Sequence, residues 1–516
     1  MAETISLFST GCGFIVTGWG IVIINIAGIV GLVALSYYRG ETRRLRHIPT
    51  VGPTAPILSY LGAFQFIFDA SNVIRNRIER VPNSTFKVAD VFRWQVVIHD
   101  PTLIEEVKML PDSILSSFDA LNEASPGSLS SMLSANESVH EFQGLQTWYS
   151  LGPNIVKNPY HLPIVRTQLT RALPQLVPAV HEEVVDAFND FIPATNGKDP
   201  DYIGLVVQYA TDVIRVGTTL RLVPRVLRPL LNTMISHVPR GVERGMKHLA
   251  PVFTARRESR QEKGDVGSEK SLDLLSWLME AAQGEEKTDW HLTSRLLMMN
   301  WTAIHTSTMT FTHALYYLAT YPEYVKPLRE EVEAAVKRCG WSKVALDEMH
   351  LVDSFIKESQ RVDPLAVLLV SRILVKDHVF SDGMLLPKGT LLSVATPKTH
   401  LNPETYEDPL RFDGFRYAKL RERSLNQTSS QEASGGPEKK FDMVSANIDS
   451  LGFGLGRHAC PGRFFAACEL KIMLAHILVT YDVKLGNEGN RPANKWYATA
   501  CFPNPTAHVL FRKRTD

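Results

Sequence analysis

The stretch richest in chemistry is Phe453-Gly454-Leu455-Gly456-Arg457-His458-Ala459-Cys460-Pro461-Gly462. It sets one cysteine in a loop with three glycines, a basic pair and a proline. Glycine lets the backbone turn sharply and come close to a flat object. The residues after Gly462, Arg463-Phe-Phe-Ala-Ala-Cys-Glu-Leu-Lys-Ile-Met-Leu-Ala-His, are apolar at helical spacing, so Cys460 is expected just ahead of a helix start. Free N–H groups and the positive end of the helix dipole favour a thiolate there. A buried anionic sulfur beside glycines suits an axial ligand to haem iron, and thiolate ligation favours O–O cleavage. A lone Cys-Pro-Gly turn would read more simply as a buried structural cysteine.

The full pattern Phe-x-x-Gly-x-His-x-Cys-x-Gly is far rarer, and it resembles the haem-binding loop of the cytochromes P450. His458 stands where that family more often has arginine. The resemblance implies haem b (iron protoporphyrin IX) as cofactor, with Cys460 as the axial ligand of its iron. It also implies that Phe453, Gly456, Gly462 and His458 surround the haem. The fold class expected on this basis is mainly α with a small β region, the cytochrome P450 fold.

Other stretches carry the resemblance in family order. Thr302-Ala303-Ile304-His305-Thr306-Ser307 is similar to the family's oxygen-activation segment. A small residue leaves room for dioxygen, a hydroxyl relays protons, and a titratable neighbour links that hydroxyl to solvent. Ala303 takes the glycine place, Thr306 the key threonine place, and His305 the place of the usual acid; an imidazole can relay protons near neutral pH. Taken alone, these hydroxyls would read as side chains bonding back to the preceding turn. Glu358-Ser-Gln-Arg361 puts an acid and a base on one helix face. Phe412-Asp-Gly-Phe415-Arg416 resembles the family's Pro-x-x-Phe-x-Pro-x-Arg stretch, with Gly414 in the second proline place. The resemblance makes Glu358, Arg361 and Arg416 a structural lock, for which an always-charged planar guanidinium is suited. It also makes Arg372, eleven residues past Arg361, a propionate partner. Arg166 is a further candidate beside His161, where the family commonly has a tryptophan and an arginine.

The elements that must position these groups are carried by 516 residues, 44% hydrophobic, with a net charge of +1. The balance gives no case for binding nucleic acid. The cysteines, Cys12, Cys339, Cys460, Cys468 and Cys501, form no Cys-x-x-Cys pair and no even framework, which fits a reducing compartment. Phe14 to Tyr38 is free of charge. As a helix it would span about 37 Å at ~1.5 Å per residue, enough to cross a hydrocarbon core of ~30 Å. Arg39, Arg43, Arg44 and Arg46 follow at once, so the positive-inside rule puts the rest of the chain in the cytosol. The expected organisation is an anchor over 1–40, a proline-rich linker over 41–56 and a catalytic domain over 57–516, on the endoplasmic reticulum membrane.

Hydrophobic spacing predicts helices over Phe64–Val81, Pro101–Leu110, from His161 past Arg171, across much of 175–250, Thr288–Tyr321, Pro322–Gly340 and Asp347–Val362. Breaks are expected at 222–240 and 256–272, a loop over 112–160 and a flexible insertion over 421–440. Strand composition marks Thr85–Phe92, Trp94–His99 and the segment after Val379. No dinucleotide fingerprint or phosphate-cradling loop is present, so electrons would come from another protein. The resemblance implies NADPH–cytochrome P450 reductase, with cytochrome b5 as a second donor. The wording around Thr306 and Cys460 is most similar to fungal membrane P450s of the group that includes ent-kaurene oxidases. The expected activity is oxygen insertion into a lipophilic terpenoid or steroid-like molecule. The alternatives are a haem-thiolate isomerase or dehydratase and a non-catalytic haem-binding sensor.

Overall fold

The computed structural model describes residues 40, 42–55, 58–80, 85–90, 93–116, 154–155, 158–191, 200–221, 227–267, 272–428, 440–486 and 490–515. Helices dominate: α1 Ser59–Arg80, α2 Pro101–Met109, α3 Thr170–Phe191, α4 Pro200–Arg221, α5 Arg228–Ile235, α6 Val238–Gly267, α7 Leu274–Ala281 and α8 Asp289–Thr320. They continue with α9 Val325–Cys339, α10 Lys343–Glu348, α11 His350–Val362, α12 Thr396–His400, α13 Arg416–Thr428 and α14 Arg463–Thr480. A single turn at His161–Pro163 and a π-helical stretch at Ile164–Leu169 lead into α3.

The main sheet has six strands in the order β1-β2-β3-β8-β5-β4. They are β1 Thr50–Val51, β2 Phe86–Ala89, β3 Trp94–Ile98, β4 Leu115–Ser116, β5 Leu368–Leu374 and β8 Leu391–Ala395. Between β5 and β8 lie β6 His378–Val379 and β7 Leu385–Leu386, which pair antiparallel. Near the C-terminus β9 Tyr481–Leu485 pairs antiparallel with β12 Val509–Lys513, and β10 Lys495–Tyr497 with β11 Ala500–Phe502. β3 and β8 are buried along their whole length and are apolar except for Gln95 and Ser393, whose side chains satisfy each other at 2.7 Å.

Two cores result. One is built on α9, α11 and α14, with Leu328, Val332, Phe355, Leu474 and Ile477 fully enclosed. At about 1.5–3 kcal/mol for each large apolar side chain buried, this bundle is a main source of stability. The other lies under the sheet, where Trp94, Val96, Ile98, Leu392 and Val394 meet Ile104 of α2. Local signals agree with these elements. Asp100 caps α2 by accepting from Thr102 N at 2.8 Å, with Pro101 at the first helical position. Asp273 caps α7 through Ser276 N at 2.9 Å.

Four expectations need correcting. The polar run over 256–272 is not a break as far as Gly267, because α6 continues through it. Its Arg, Glu and Lys residues are good helix formers, and Arg256 pairs with Asp273 at 2.6 Å while Arg257 pairs with Asp289. Likewise α13 runs on to Thr428, into the stretch read as an insertion. The break expected over 222–240 is helical at 228–235, in α5, and from Val238, in α6. The proline-rich segment, expected as a stiff linker, is docked. Leu45 and Ile48 are buried, Thr50–Val51 pairs parallel with β2, and Lys87 Nζ donates to the carbonyls of Leu45 and Ile48. No helix among the described residues is long and apolar enough to cross a membrane, and Phe14–Tyr38 lies outside those residues. So do most of 112–160, residues 222–226 and 429–439.

Candidate active site

The cysteine loop is shaped by its own backbone. Cys460 N–H donates to Phe453 O at 2.8 Å, and Gly454 N–H to Leu451 O at 2.9 Å. Gly456 adopts φ +63°, and a Cβ there would lie 2.9 Å from the Lys108 carbonyl oxygen. Only glycine meets both demands, so α2 can press directly on the loop. Gly462 precedes the first residue of α14, and Arg463 Nη1 donates to Cys460 O at 2.9 Å. The thiol therefore sits at the helix N-terminus, where positive dipole and free amides favour its anion. A Cβ at Gly462 would be 4.0 Å from Cys460 Sγ and 3.6 Å from Val165, so the π-helical stretch closes over this point.

The basic candidates are spread around the loop. Arg166 Nη2 donates to Arg457 O at 3.3 Å. His458 Nε2 lies 2.6 Å from Asp112 Oδ1. Arg372 is buried on β5, and its Nη1 donates to Ser371 O at 2.6 Å. His161 points elsewhere. Its Nδ1 lies 2.7 Å from Nη1 of Arg295 on α8, whose Nη2 donates to Glu286 at 2.9 Å. Burial, then the Arg295 charge, holds His161 down at about 3. It therefore pins the α3 entry to α8, while Arg166 reaches the cysteine loop.

The middle of α8 is joined to α14 by Ser307 Oγ donating to Glu469 Oε2 at 2.8 Å. Glu469 lies six residues past Arg463, about 9 Å along the helix axis at ~1.5 Å per residue. The Ser307 contact thus falls on the second turn of α14. Thr302, Ala303 and Ile304 are exposed although Trp301 and Ser307 on either side are buried. Thr306 Oγ1 donates to Thr302 O at 3.0 Å and Ala303 O at 3.3 Å. His305 has a lowered pKa from burial, and its Nε2 is enclosed without a partner among the described residues.

Beneath the loop, Glu358, Arg361 and Arg416 meet in a network that excludes water. Arg361 is bidentate on Glu358, Nε to Oε2 and Nη2 to Oε1 both at 2.7 Å, and Arg416 Nε reaches Oε1 at 3.0 Å. Arg361 Nη1 also donates to His400 O and Pro409 O, each at 2.7 Å. Gly414 stands where a proline was expected because a Cβ there would already lie 2.6 Å from the Phe355 ring. The apolar segment before β5 is bound to the C-terminal region by Val367 N–H to Thr499 O at 2.8 Å and Cys501 N–H to Leu365 O at 3.0 Å. Sequence reasoning missed the Ser307–Glu469 and His161–Arg295–Glu286 contacts; its one local trace is a polar position interrupting an apolar helix face.

The residues fit haem. A thiol outside any disulfide at a helix N-terminus, a loop with glycines that a Cβ would not fit, a buried arginine suited to a propionate, and the exposed Thr302–Ile304 turn of α8 form one donor set. Such a set defines a haem-thiolate protein.

Comparison with known proteins agrees. The cytochrome P450 family model matches residues 186–511. The chain is similar to cytochrome P450 monooxygenase 151 of Postia placenta, at 37% identity over 95% of this chain and 97% of that one. It is also similar to ent-kaurene oxidase P450-4 of Gibberella fujikuroi, at 28% identity over 89% and 92% of the two chains. Among solved structures, the retinoic acid bound cyanobacterial CYP120A1 shares the fold with a TM-score of 0.54 at 17% identity, covering 90% of this chain and 99% of that one. The chain belongs to the cytochrome P450 family; it is a haem b monooxygenase, an oxidoreductase.

Proposed function

We propose that this monooxygenase inserts one oxygen atom of dioxygen into a C–H bond of a lipophilic terpenoid or steroid-like molecule. The observation that carries the reading is Cys460 at the head of α14, linked through Glu469 and Ser307 to the uncovered Thr302–Ile304 turn of α8. Haem b, when bound, supplies the dioxygen activation and oxygen insertion. Cys460 holds the iron as a thiolate, and the α14 dipole stabilises that charge. Phe453, Gly456 and Gly462 shape the loop against the porphyrin. Arg372, His458 and Arg166 neutralise its propionates. Thr306 holds a proton at Oγ1 on the dioxygen side, with His305 as its titratable neighbour. Leu365–Val370, paired with Thr499–Cys501, forms the apolar wall for the substrate. The terpenoid class is supported by the ent-kaurene oxidase relative.

Electrons come from NADPH–cytochrome P450 reductase, with cytochrome b5 as a second donor. Residues 1–40 anchor the chain in the endoplasmic reticulum membrane, 41–56 connect, and 57–516 form the catalytic domain facing the cytosol. Leu61, Phe64 and Phe68 support this orientation. They are exposed on one face of α1, the first long helix after the proline-rich segment.

The deciding measurement is the absorption spectrum of the reduced, carbon-monoxide-bound protein. A strongly red-shifted main band is expected, and Cys460→Ala should abolish both the band and oxygen insertion. Retained oxygen insertion in that variant would refute the assignment. Product formed with no reductase present would point to an isomerase or dehydratase instead.

A further inference from the structure

Val370 of β5 is buried with φ +55°. A side chain branched at Cβ tolerates that backbone badly, and such strain gathers at functional sites. It falls where β5 changes register against β8. Leu368 pairs with Ala395 and Leu369 with Val394, but Arg372 pairs with Leu392. Val370 and Ser371 therefore stand opposite Ser393 alone, the two-against-one pattern of a β-bulge.

The bulge decides which face of the sheet Arg372 takes. Opposed residues of an antiparallel pair share a face. Leu392 and Val394 pack in the core that holds Val96, Ile98 and, from the approach to the cysteine, Leu451 and Leu455. Ala395 packs on the other side, with Leu368, Val97 and residues Phe66 and Ile74 of α1. In an unbroken register Arg372 would fall opposite Leu391, on the α1 side. The extra residue turns it to the side that meets the cysteine loop. There its Nη1 donates to the carbonyl of Ser371, within the bulge, at 2.6 Å.

Side chains pin the bulge at this place. Ser371 Oγ lies 2.7 Å from Ser393 Oγ, which accepts from Gln95 Nε2 of β3 at 2.7 Å. All three side chains are buried. In the unbroken register Ser371 would face Leu392 instead of Ser393, and a buried hydroxyl left without its partner is destabilising. The polar chain therefore selects the bulged register and opposes the strain at Val370.

We infer that Val370, Ser371, Ser393 and Gln95 form a positioning device, a pinned bulge that delivers the Arg372 guanidinium to the cysteine-loop side of the sheet. The inference deepens the propionate role given to Arg372 above and rests on it. Arg372 is the binding residue, and the other four act through it.

The test uses full-length holoprotein in a mutant cycle: wild type, the paired variant Ser371→Val with Ser393→Val, Arg372→Leu, and all three changes together. The valines remove the hydroxyl pair and favour the unbroken register. Haem transfer to apomyoglobin reads the hold on the cofactor without turnover. The paired variant should release haem about tenfold faster or more, the scale of one charge-assisted hydrogen bond. Its haem reduction potential should fall, because a cation beside the propionates favours the electron-richer state. In the Arg372→Leu background the valines should change neither readout. Wild-type haem transfer in the paired variant, or equal acceleration with and without Arg372, overturns the inference. If the paired variant does not fold, Ser393→Ala takes its place in the same cycle.

Val370 gives a reading that does not involve haem. Alanine is ordinarily more stable than glycine inside a strand, but only glycine takes a positive φ freely. Val370→Gly should therefore melt above Val370→Ala, and the reverse order, which would mean an unstrained strand, also overturns the inference. Arg372→Leu alone separates the two failures. Wild-type haem transfer and potential in that variant would strike the propionate role itself, whichever order the Val370 variants show.

Discussion

The backbone N–H of Leu451 donates to Nε2 of His400 at 3.0 Å. The carbonyl of that same leucine accepts from Gly454, and the carbonyl of that same histidine accepts from Arg361. One buried imidazole thus joins the Glu358–Arg361–Arg416 network to the start of the cysteine loop. Because Nε2 accepts, the proton sits on Nδ1 and the ring is neutral. Burial, then the Arg361 charge, holds it at about 3.

Acid should loosen this joint. His161 and His400 both sit at about 3 in the folded chain, against an ordinary 6.5. Below about 6.5 the unfolded chain binds protons that the folded chain refuses, so stability falls as pH drops from 6.5 towards 3. The stabilisation is complete above that window. Urea midpoints measured from pH 7 to pH 4 should decline, and His161→Gln should flatten part of the slope. An unchanged slope in that variant would assign the decline to other groups.

Truncating Glu358 to alanine should be severe. It leaves two buried guanidinium groups without their carboxylate, which costs about 3–5 kcal/mol for a buried pair broken on one side. Chemical denaturation reads the loss, and haem retention should fall with it. Arg361→Lys should recover little, since an ammonium cannot reproduce the two parallel bonds.

Gly456→Ala tests the loop. A left-handed backbone costs a residue with a Cβ about 1–2 kcal/mol, and here the new methyl also meets the Lys108 carbonyl at 2.9 Å. The expected outcome is a lower Tm and faster haem loss to a haem acceptor. Gly340→Ala, also at positive φ but with open space around it, should lower Tm without affecting haem loss.

Lys87→Met should release the segment ahead of the sheet. The ammonium binds the Leu45 and Ile48 carbonyls and lies 5.4 Å from the Trp94 ring centre. Hydrogen exchange over residues 42–51 should accelerate by about tenfold for each ~1.4 kcal/mol lost, with the active-site spectrum unchanged. Exchange confined to wild-type rates would show that β1 pairing alone secures the segment.

What the residues alone determined is whatever depends on short-range pattern. The cysteine loop, the α8 turn and the Glu358–Arg361 pair are each written within a few positions, because glycine freedom, helical period and i,i+3 pairing are local properties. The strands β2 and β3 were legible for the same reason. Their composition is that of a buried sheet.

Tertiary structure decided the rest. Solvation of the 256–272 run suggested a break, but ion pairs to Asp273 and Asp289 sustain the helix up to Gly267. His161 reads as a basic residue near the cofactor, yet Arg295, 134 positions away, turns it towards α8. Ser307 and Glu469 are 162 positions apart, and nothing in either segment names the other. Such contacts depend on how helices pack after they form. Helical period tells which face is buried, while only packing tells what that face will meet.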